Sequence, residues 1–226
     1  MNTVVLLSGC GVYDGSEIHE SVFALLCLSQ NNLNYVCAAP DINHLHILNH
    51  QTGKEINQKR NVLVESSRVS RGGVLNVDDL NLNDVSSLVI PGGFGVAKNL
   101  SSWAFDSEKC DVLSSIKRLI LHCVENKKPI VSLCISPTII AKCLQGSSYS
   151  ARLTVGSPKE ASEYDIESIN KSIRSLGSKT QNTGISGVCF DDKLKIISAP
   201  CYMQDAKIHE VYKNIGLAIK KLKEIL

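Results

Sequence analysis

The fold is indicated most clearly by residues 129–141, Pro-Ile-Val-Ser-Leu-Cys-Ile-Ser-Pro-Thr-Ile-Ile-Ala, which include the most informative side chain, that of Cys134. The short apolar run before Cys134 is typical of a buried parallel strand. Pro137 fits the first turn of a helix, where its missing N–H costs nothing. We therefore expect Cys134 on a sharp strand-to-helix turn, where the helix N-terminus favours thiol ionisation. The alternative is a buried structural cysteine, the usual state of a free thiol.

Short strands and helices continue to alternate on both sides of this turn. Strands are expected at residues 3–8, 33–38, 88–90 and 152–155 and in a hairpin at 188–198, and helices at 16–29, 61–69, 112–125, 160–176 and 205–226. Ser16 is the expected N-cap of the first helix. This alternation predicts an α/β fold with a mostly parallel sheet and helices on both faces. Because no repeat or linker divides the chain, we expect a single domain over residues 1–226.

The composition limits the possible partners. A formal net charge of +2 over 226 residues gives no strong attraction to nucleic acid, so we expect no nucleic-acid partner. No stretch is long enough and apolar enough to span a membrane, so we expect no membrane association. Nine cysteines, an odd number without a paired framework, predict reduced thiols and a cytoplasmic location.

Two other strand ends have an unusual sequence, and ligands bind such folds beyond the C-terminal ends of the strands. Residues 9–20, Gly-Cys-Gly-Val-Tyr-Asp-Gly-Ser-Glu-Ile-His-Glu, follow the first strand. Glu17 and Glu20 share a helix face, where they either stabilise the helix dipole or turn inward toward the thiol. A carboxyl buried beside the thiol would have a raised pKa and would be able to shuttle protons.

Residues 91–95, Pro-Gly-Gly-Phe-Gly, follow the Leu88–Ile90 strand. They form either a simple tight turn or a place where the backbone approaches a ligand closely. The N–H of Gly92 or Gly93, together with that of Ile135, would then form an oxyanion hole.

Nucleotide and metal sites are disfavoured. The glycine spacing at residues 9–15 is not that of a dinucleotide-binding turn, and the carboxylates that follow it would repel a pyrophosphate. The three histidines of residues 44–50 lack zinc-site spacing and a cysteine pair. We therefore expect no metal and no cofactor.

These segments resemble the class I glutamine amidotransferase-like superfamily, in its PfpI-type branch, and most specifically the ElbB family, which is named for enhancing lycopene biosynthesis and described as a glyoxalase. The resemblance spans essentially the whole chain and rests on residues 7–20, 60–65, 68, 71–72, 91–95, 97–100 and 152–156.

The resemblance implies a flavodoxin-like three-layer sandwich, usually assembled as a homodimer. It also implies that Cys134 is the nucleophile and that Glu20 contacts its sulfur, with Glu17 nearby. The backbone N–H groups of Gly93 and Ile135 would be the oxyanion donors.

One departure from the wider superfamily narrows the chemistry. No histidine follows Cys134 until His209, which we expect on the solvated face of the last helix. Peptidase and glutaminase reactions need a base placed for the nucleophile and the leaving group, so both are disfavoured. Lys98 either supplies a positive charge to an anionic substrate or product or is simply solvated.

The leading hypothesis is a cofactor-independent glyoxalase. The Cys134 thiolate would add to a small 2-oxoaldehyde such as glyoxal or methylglyoxal, and Glu20 would move the proton that converts the adduct toward a 2-hydroxy acid. A link to isoprenoid biosynthesis is implied by the resemblance. The alternative is a non-catalytic thiol redox sensor or stress-response protein in which Cys134 is oxidised.

Overall fold

Strands and α-helices alternate along residues 2–226, the part of the chain that the computed structural model describes. The strands are β1 (Asn2–Leu6), β2 (Tyr35–Ala39), β3 (Val74–Asn76), β4 (Val85–Ile90), β5 (Ile130–Leu133), β6 (Arg152–Leu153), β7 (Lys179–Thr180), β8 (Cys189–Asp191) and β9 (Ile196–Ala199). The helices are α1 (Ile18–Gln30), α2 (Val62–Ser70), α3 (Phe94–Lys98), α4 (Trp103–Asp106), α5 (Ser114–Glu125), α6 (Pro137–Leu144), α7 (Ile166–Ser175) and α8 (Ile208–Ile225).

The strands β3-β2-β1-β4-β5-β9-β8 form, in this order, one seven-stranded sheet. All neighbours are parallel except β8, which runs antiparallel to β9. The order changes direction between β1 and β4, and a crevice forms at such a point beyond the C-terminal ends of the strands. The segments that follow β1, β4 and β5 therefore meet at one edge of the sheet.

Helices cover both faces of this sheet. Helix α1 packs against α2 and α8, whereas α6 packs against α5 and α7. The buried residues of α5 are spaced as one helix face, including Ile116, Leu119, Ile120 and Cys123. The predicted three-layer α/β sandwich is therefore confirmed. Within the described residues, no helix combines the length and apolar character that crossing a membrane requires.

The start of α1 differs from the prediction. Glu17, not Ser16, is the N-cap, and its Oε2 accepts the N–H of Glu20 at 2.6 Å. The hydroxyl of Ser16 instead accepts the N–H of Ser8 at 2.8 Å. The prediction of a Ser16 cap is wrong because the segment after β1 turns back on itself and brings Ser16 against Ser8.

Several other boundaries also differ. The helix expected from residue 160 begins at Ile166, after the N-cap Asp165. The strand expected at residues 152–155 is only Arg152–Leu153, and it pairs with β7 outside the main sheet. Elements β3, α3 and α4 were not predicted, because segments of three to five residues are too short to show a periodic pattern.

Candidate active site

Cys134 lies on the predicted turn between β5 and α6, with a positive φ of 59°. Few non-glycine residues adopt this conformation, and it is common at functional sites. Two serine hydroxyls hold the turn, because Ser132 Oγ and Ser136 Oγ lie 2.7 Å apart and Ser136 Oγ donates to the carbonyl of Ile90 at 3.0 Å. The turn leaves the Cys134 side chain 7% exposed at the end of the sheet.

The glycine turn after β4 packs directly against Cys134. A Cβ on Gly92 would lie 2.6 Å from Glu20 Oε2 and 2.7 Å from Cys134 Sγ, so no larger residue fits there. Gly93 has a φ of 96°, which favours glycine. The turn is fixed to the segment after β1, since the N–H of Glu17 donates to the carbonyl of Gly92 at 3.0 Å.

Glu20 is fully buried and reaches Cys134 from α1. Its carboxyl oxygens accept the N–H of Gly92 at 2.8 Å and the N–H of Tyr202 at 3.3 Å, and the carboxyl lies within hydrogen-bonding reach of the thiol. Burial, followed by repulsion from Glu17, raises the pKa of Glu20 to about 8. The buried carboxyl expected from the sequence is therefore present beside the sulfur, and Glu17 contributes to its raised pKa.

The electrostatics of Cys134 differ from the prediction. Burial, followed by repulsion from Glu20, raises the pKa of the thiol well above its ordinary value. The N–H groups of Gly93 and Ile135 point at the sulfur and lower the pKa in part. The expectation that the helix N-terminus makes this thiol easier to ionise is wrong, because desolvation of the thiolate outweighs the dipole.

The N–H groups of Gly93 and Ile135 converge on Cys134 as the oxyanion hypothesis requires. Across residues 2–226, neither of them donates to a backbone carbonyl, so both are available to an oxygen that adds next to the sulfur. Gly92 has a different part, because its N–H is already held by Glu20. Gly92 therefore positions the acid and does not serve as a free donor.

The structure also shows the positions of Glu17 and Lys98, for each of which the sequence left two alternatives. Glu17 caps α1 and lines the same cavity as Cys134. Lys98 donates to the carbonyl of Tyr13 at 3.0 Å, and its Nζ lies 5.2 Å from the centre of the Phe94 ring. Because this amino group is bound to the segment after β1 and does not line the cavity, it supplies no charge to a molecule bound there.

A cavity of about 310 Å³ opens in front of Cys134. Its wall is mostly apolar or aromatic and includes Phe94, Trp103, Phe105, Tyr164, Ile169, Tyr202 and Met203. Sequence reasoning missed these residues, although Trp103 is the only tryptophan of the chain. Within the described residues, no histidine lines this cavity, and His209 is exposed on α8.

Comparison with known proteins places this chain in a family. No protein-family model matches the chain. The "ES1 protein homolog, mitochondrial" of Rattus norvegicus is 34% identical over 98% of this chain and 82% of its own length. This chain belongs to the ES1 family. The human "Glutamine amidotransferase-like class 1 domain-containing protein 3, mitochondrial" has the same identity and coverage, which confirms the class I amidotransferase-like resemblance at the level of the superfamily.

Solved structures agree with this ES1-family assignment. An "isoprenoid biosynthesis protein with amidotransferase-like domain" from Ehrlichia chaffeensis is 32% identical and covers 100% of both chains, with a TM-score of 0.89. Drosophila melanogaster DJ-1beta is 17% identical with a TM-score of 0.53 and shows the shared fold alone. The ES1-family chain thus has the flavodoxin-like fold that these amidotransferase-like and DJ-1/ThiJ/PfpI proteins share.

The relatives also correct one prediction. Both the rat and the human ES1-family proteins are named as mitochondrial. The expectation of a cytoplasmic location, which rested on cysteine usage, is therefore wrong. Cysteine usage does not distinguish the cytoplasm from other reducing compartments.

Proposed function

We propose that this ES1-family protein is a cofactor-independent glyoxalase that converts 2-oxoaldehydes to 2-hydroxy acids. The observation that carries the proposal is the Glu20 carboxyl, which is fully buried, has a raised pKa and is held within hydrogen-bonding reach of Cys134. A carboxyl with a pKa near neutrality both accepts and returns a proton efficiently.

In the first step, one proton must leave the pair formed by Cys134 and Glu20. The sulfur then adds to the aldehyde carbon, so a C–S bond forms while the C=O π bond breaks. The oxygen takes the negative charge next to the N–H groups of Gly93 and Ile135, which already point at the sulfur. The carboxyl of Glu20 then protonates that oxygen, which gives a hemithioacetal and leaves Glu20 as the carboxylate that acts in the second step.

In the second step, Glu20 removes the hydrogen on the former aldehyde carbon and returns a proton to the neighbouring carbon through an enediol. The first carbon is oxidised and the second is reduced, so no external oxidant or reductant is needed. The product is a thioester of the 2-hydroxy acid on Cys134. Water then cleaves the C–S bond, which releases the acid and restores the thiol.

Other reactions of a cysteine nucleophile fit this site less well. Cysteine enzymes that hydrolyse amides use a histidine both for the nucleophile and for the leaving amine, and among the described residues no histidine lines the cavity. A thiol sensor needs no proton shuttle, so that role leaves the buried Glu20 carboxyl beside Cys134 unexplained. Isomerisation of a bound aldehyde needs only one proton shuttle, and Glu20 has the required position.

Two narrower proposals accompany this function. We assign the chain to the ElbB branch on the segments that carry the resemblance, and the isoprenoid-related description of the Ehrlichia protein supports a role near isoprenoid biosynthesis. We also propose a homodimer, which sedimentation of the purified protein would test.

The direct test is the formation of lactate from methylglyoxal by the purified protein without glutathione. We expect lactate to accumulate in proportion to protein concentration, and the Cys134→Ala variant to produce none. Equal lactate production by this variant would place the chemistry elsewhere and overturn the proposal.

A further inference from the structure

The cavity in front of Cys134 is larger, and its wall more apolar, than the binding of a small dicarbonyl compound requires. A volume of about 310 Å³ lies at the lower end of the range for pockets that hold drug-sized ligands. Methylglyoxal carries only one methyl group beyond its two carbonyls. Most of the cavity would therefore stay unfilled if this were the largest substrate.

The short helix α4 forms much of the outer wall. Trp103 is buried, whereas Phe105 is 54% exposed although both side chains line the cavity. The Phe105 ring makes an edge-on contact with His46, with 5.4 Å between ring centres. Phe105 thus extends the apolar lining formed by Trp103 and Phe94 to the surface, and an apolar patch of this kind is typical of a ligand-binding groove.

The opposite part of the wall comes from α7 and the segment before it. Ile169 and Tyr164 line the cavity there. This wall is joined to the end of α4, because Ser107 Oγ and Ser172 Oγ lie 3.3 Å apart. The two walls are therefore connected to each other and enclose the space in front of Cys134.

The charges around the cavity disfavour an anionic substrate. Within residues 2–226, no lysine or arginine lines it, and the acidic side chain that does is Glu17. A neighbouring groove shares Glu17 and Tyr164 with the cavity and adds Glu163 and Asp205. An anion that approaches Cys134 would meet the buried carboxylate of Glu17, whereas Glu163 and Asp205 are exposed to solvent and repel it more weakly.

We propose that the substrate of Cys134 is an uncharged 2-oxoaldehyde bearing an alkyl or aryl group larger than methyl, and that Phe105 is a specificity-determining residue that contacts this group. The dicarbonyl end of this substrate rests on the proposed glyoxalase function. Its alkyl or aryl group follows from the cavity wall alone, so the two ends of the substrate are tested separately.

The first experiment measures kcat/KM for straight-chain alkylglyoxals from methyl to hexyl, which share the same reacting carbonyls. We expect kcat/KM to rise by about fourfold for each methylene that is fully buried. Phe105→Ala should flatten this rise. Leu75→Ala is the matched control, because Leu75 is an exposed apolar side chain on β3 that does not line the cavity, and it should leave the rise unchanged.

Turnover of methylglyoxal with no dependence on chain length would overturn the inference and leave the proposed function standing. Turnover of none of these compounds would instead remove the proposed function. Whether the cavity prefers an apolar group is then tested by a second measurement that does not require turnover.

That measurement compares alkylation of Cys134 by iodoacetamide, N-hexyl-iodoacetamide and the anionic iodoacetate, with peptide mapping and with the unfolded protein as the reference for intrinsic reactivity. We expect the hexyl reagent to react at least about tenfold faster than iodoacetamide, since it buries several methylenes, and iodoacetate to react most slowly. Phe105→Ala should reduce the hexyl preference. A hexyl rate equal to or below that of iodoacetamide would show that the cavity does not select an apolar group.

Discussion

Cys134 and Cys201 stand in closely similar places in the fold. They follow the adjacent strands β5 and β9, which pair through Leu133 and Ala199. Both are buried and both have a positive φ, of 59° and 48°. Burial raises the pKa of both thiols well above the ordinary value. A thiol on a strained turn is thus present at the ends of two adjacent strands.

The surroundings of the two thiols differ. Cys134 is 7% exposed and lines the cavity, whereas Cys201 is 0% exposed and does not line it. Glu20 reaches the sulfur of Cys134, while the backbone N–H of Cys201 donates to Asn214 Oδ1 at 3.0 Å and holds that turn against α8. Access to a cavity and an acid partner, more than the turn itself, therefore distinguish a candidate nucleophile from a structural cysteine.

The largest expected effect comes from replacing each of the two thiols by a hydroxyl in separate variants. Cys134→Ser should lower kcat/KM for a 2-oxoaldehyde by at least about 10³-fold, because a hydroxyl is far harder to ionise than a thiol of similar size. Cys201→Ser should retain activity within a few-fold. Steady-state kinetics of both variants, with circular dichroism to verify folding, checks the comparison. A larger loss in the Cys201 variant would reverse it.

A smaller effect is expected from the acid partner. Glu20→Gln keeps the shape of the side chain but removes the titrating proton, so turnover should fall by about 10²- to 10⁴-fold. Glu17→Gln is the control, since Glu17 caps α1 and only modifies the charge near Glu20. Single-turnover rates distinguish the two variants. Equal losses would mean that the proton shuttle does not belong to Glu20 alone.

The smallest expected effect is the pH dependence. Below pH 8 both Glu20 and Cys134 are protonated, so the state that has lost one proton becomes rarer as the pH falls. We expect kcat/KM to rise about tenfold per pH unit up to about pH 8, the pKa of Glu20, and then to level off. In Glu20→Gln the rise should move to higher pH, toward the pKa of the thiol. An unchanged profile in that variant would assign the titration to another group.

Elements with a strong local signal could be predicted from the sequence. The apolar strand before Cys134 and the proline after it predict the turn, and the helix expected at residues 61–69 is present as Val62–Ser70. The pKa of Cys134 was predicted in the wrong direction. A local pattern shows the helix N-terminus but not how far the thiol is removed from water.

By itself, then, the sequence determined the α/β class, the position of Cys134 at a strand end and the choice of Glu20 and Glu17 as candidate acids, since periodicity and short motifs are local properties of the chain. Only the tertiary structure shows that Glu20 is buried against the sulfur, that Gly92 holds this acid, and that Lys98 binds the Tyr13 carbonyl and does not line the cavity. It also brought the aromatic wall of α4 in front of Cys134. These relations join residues that are far apart in the chain, and only packing of the sheet, its helices and the loops at one edge brings them into contact.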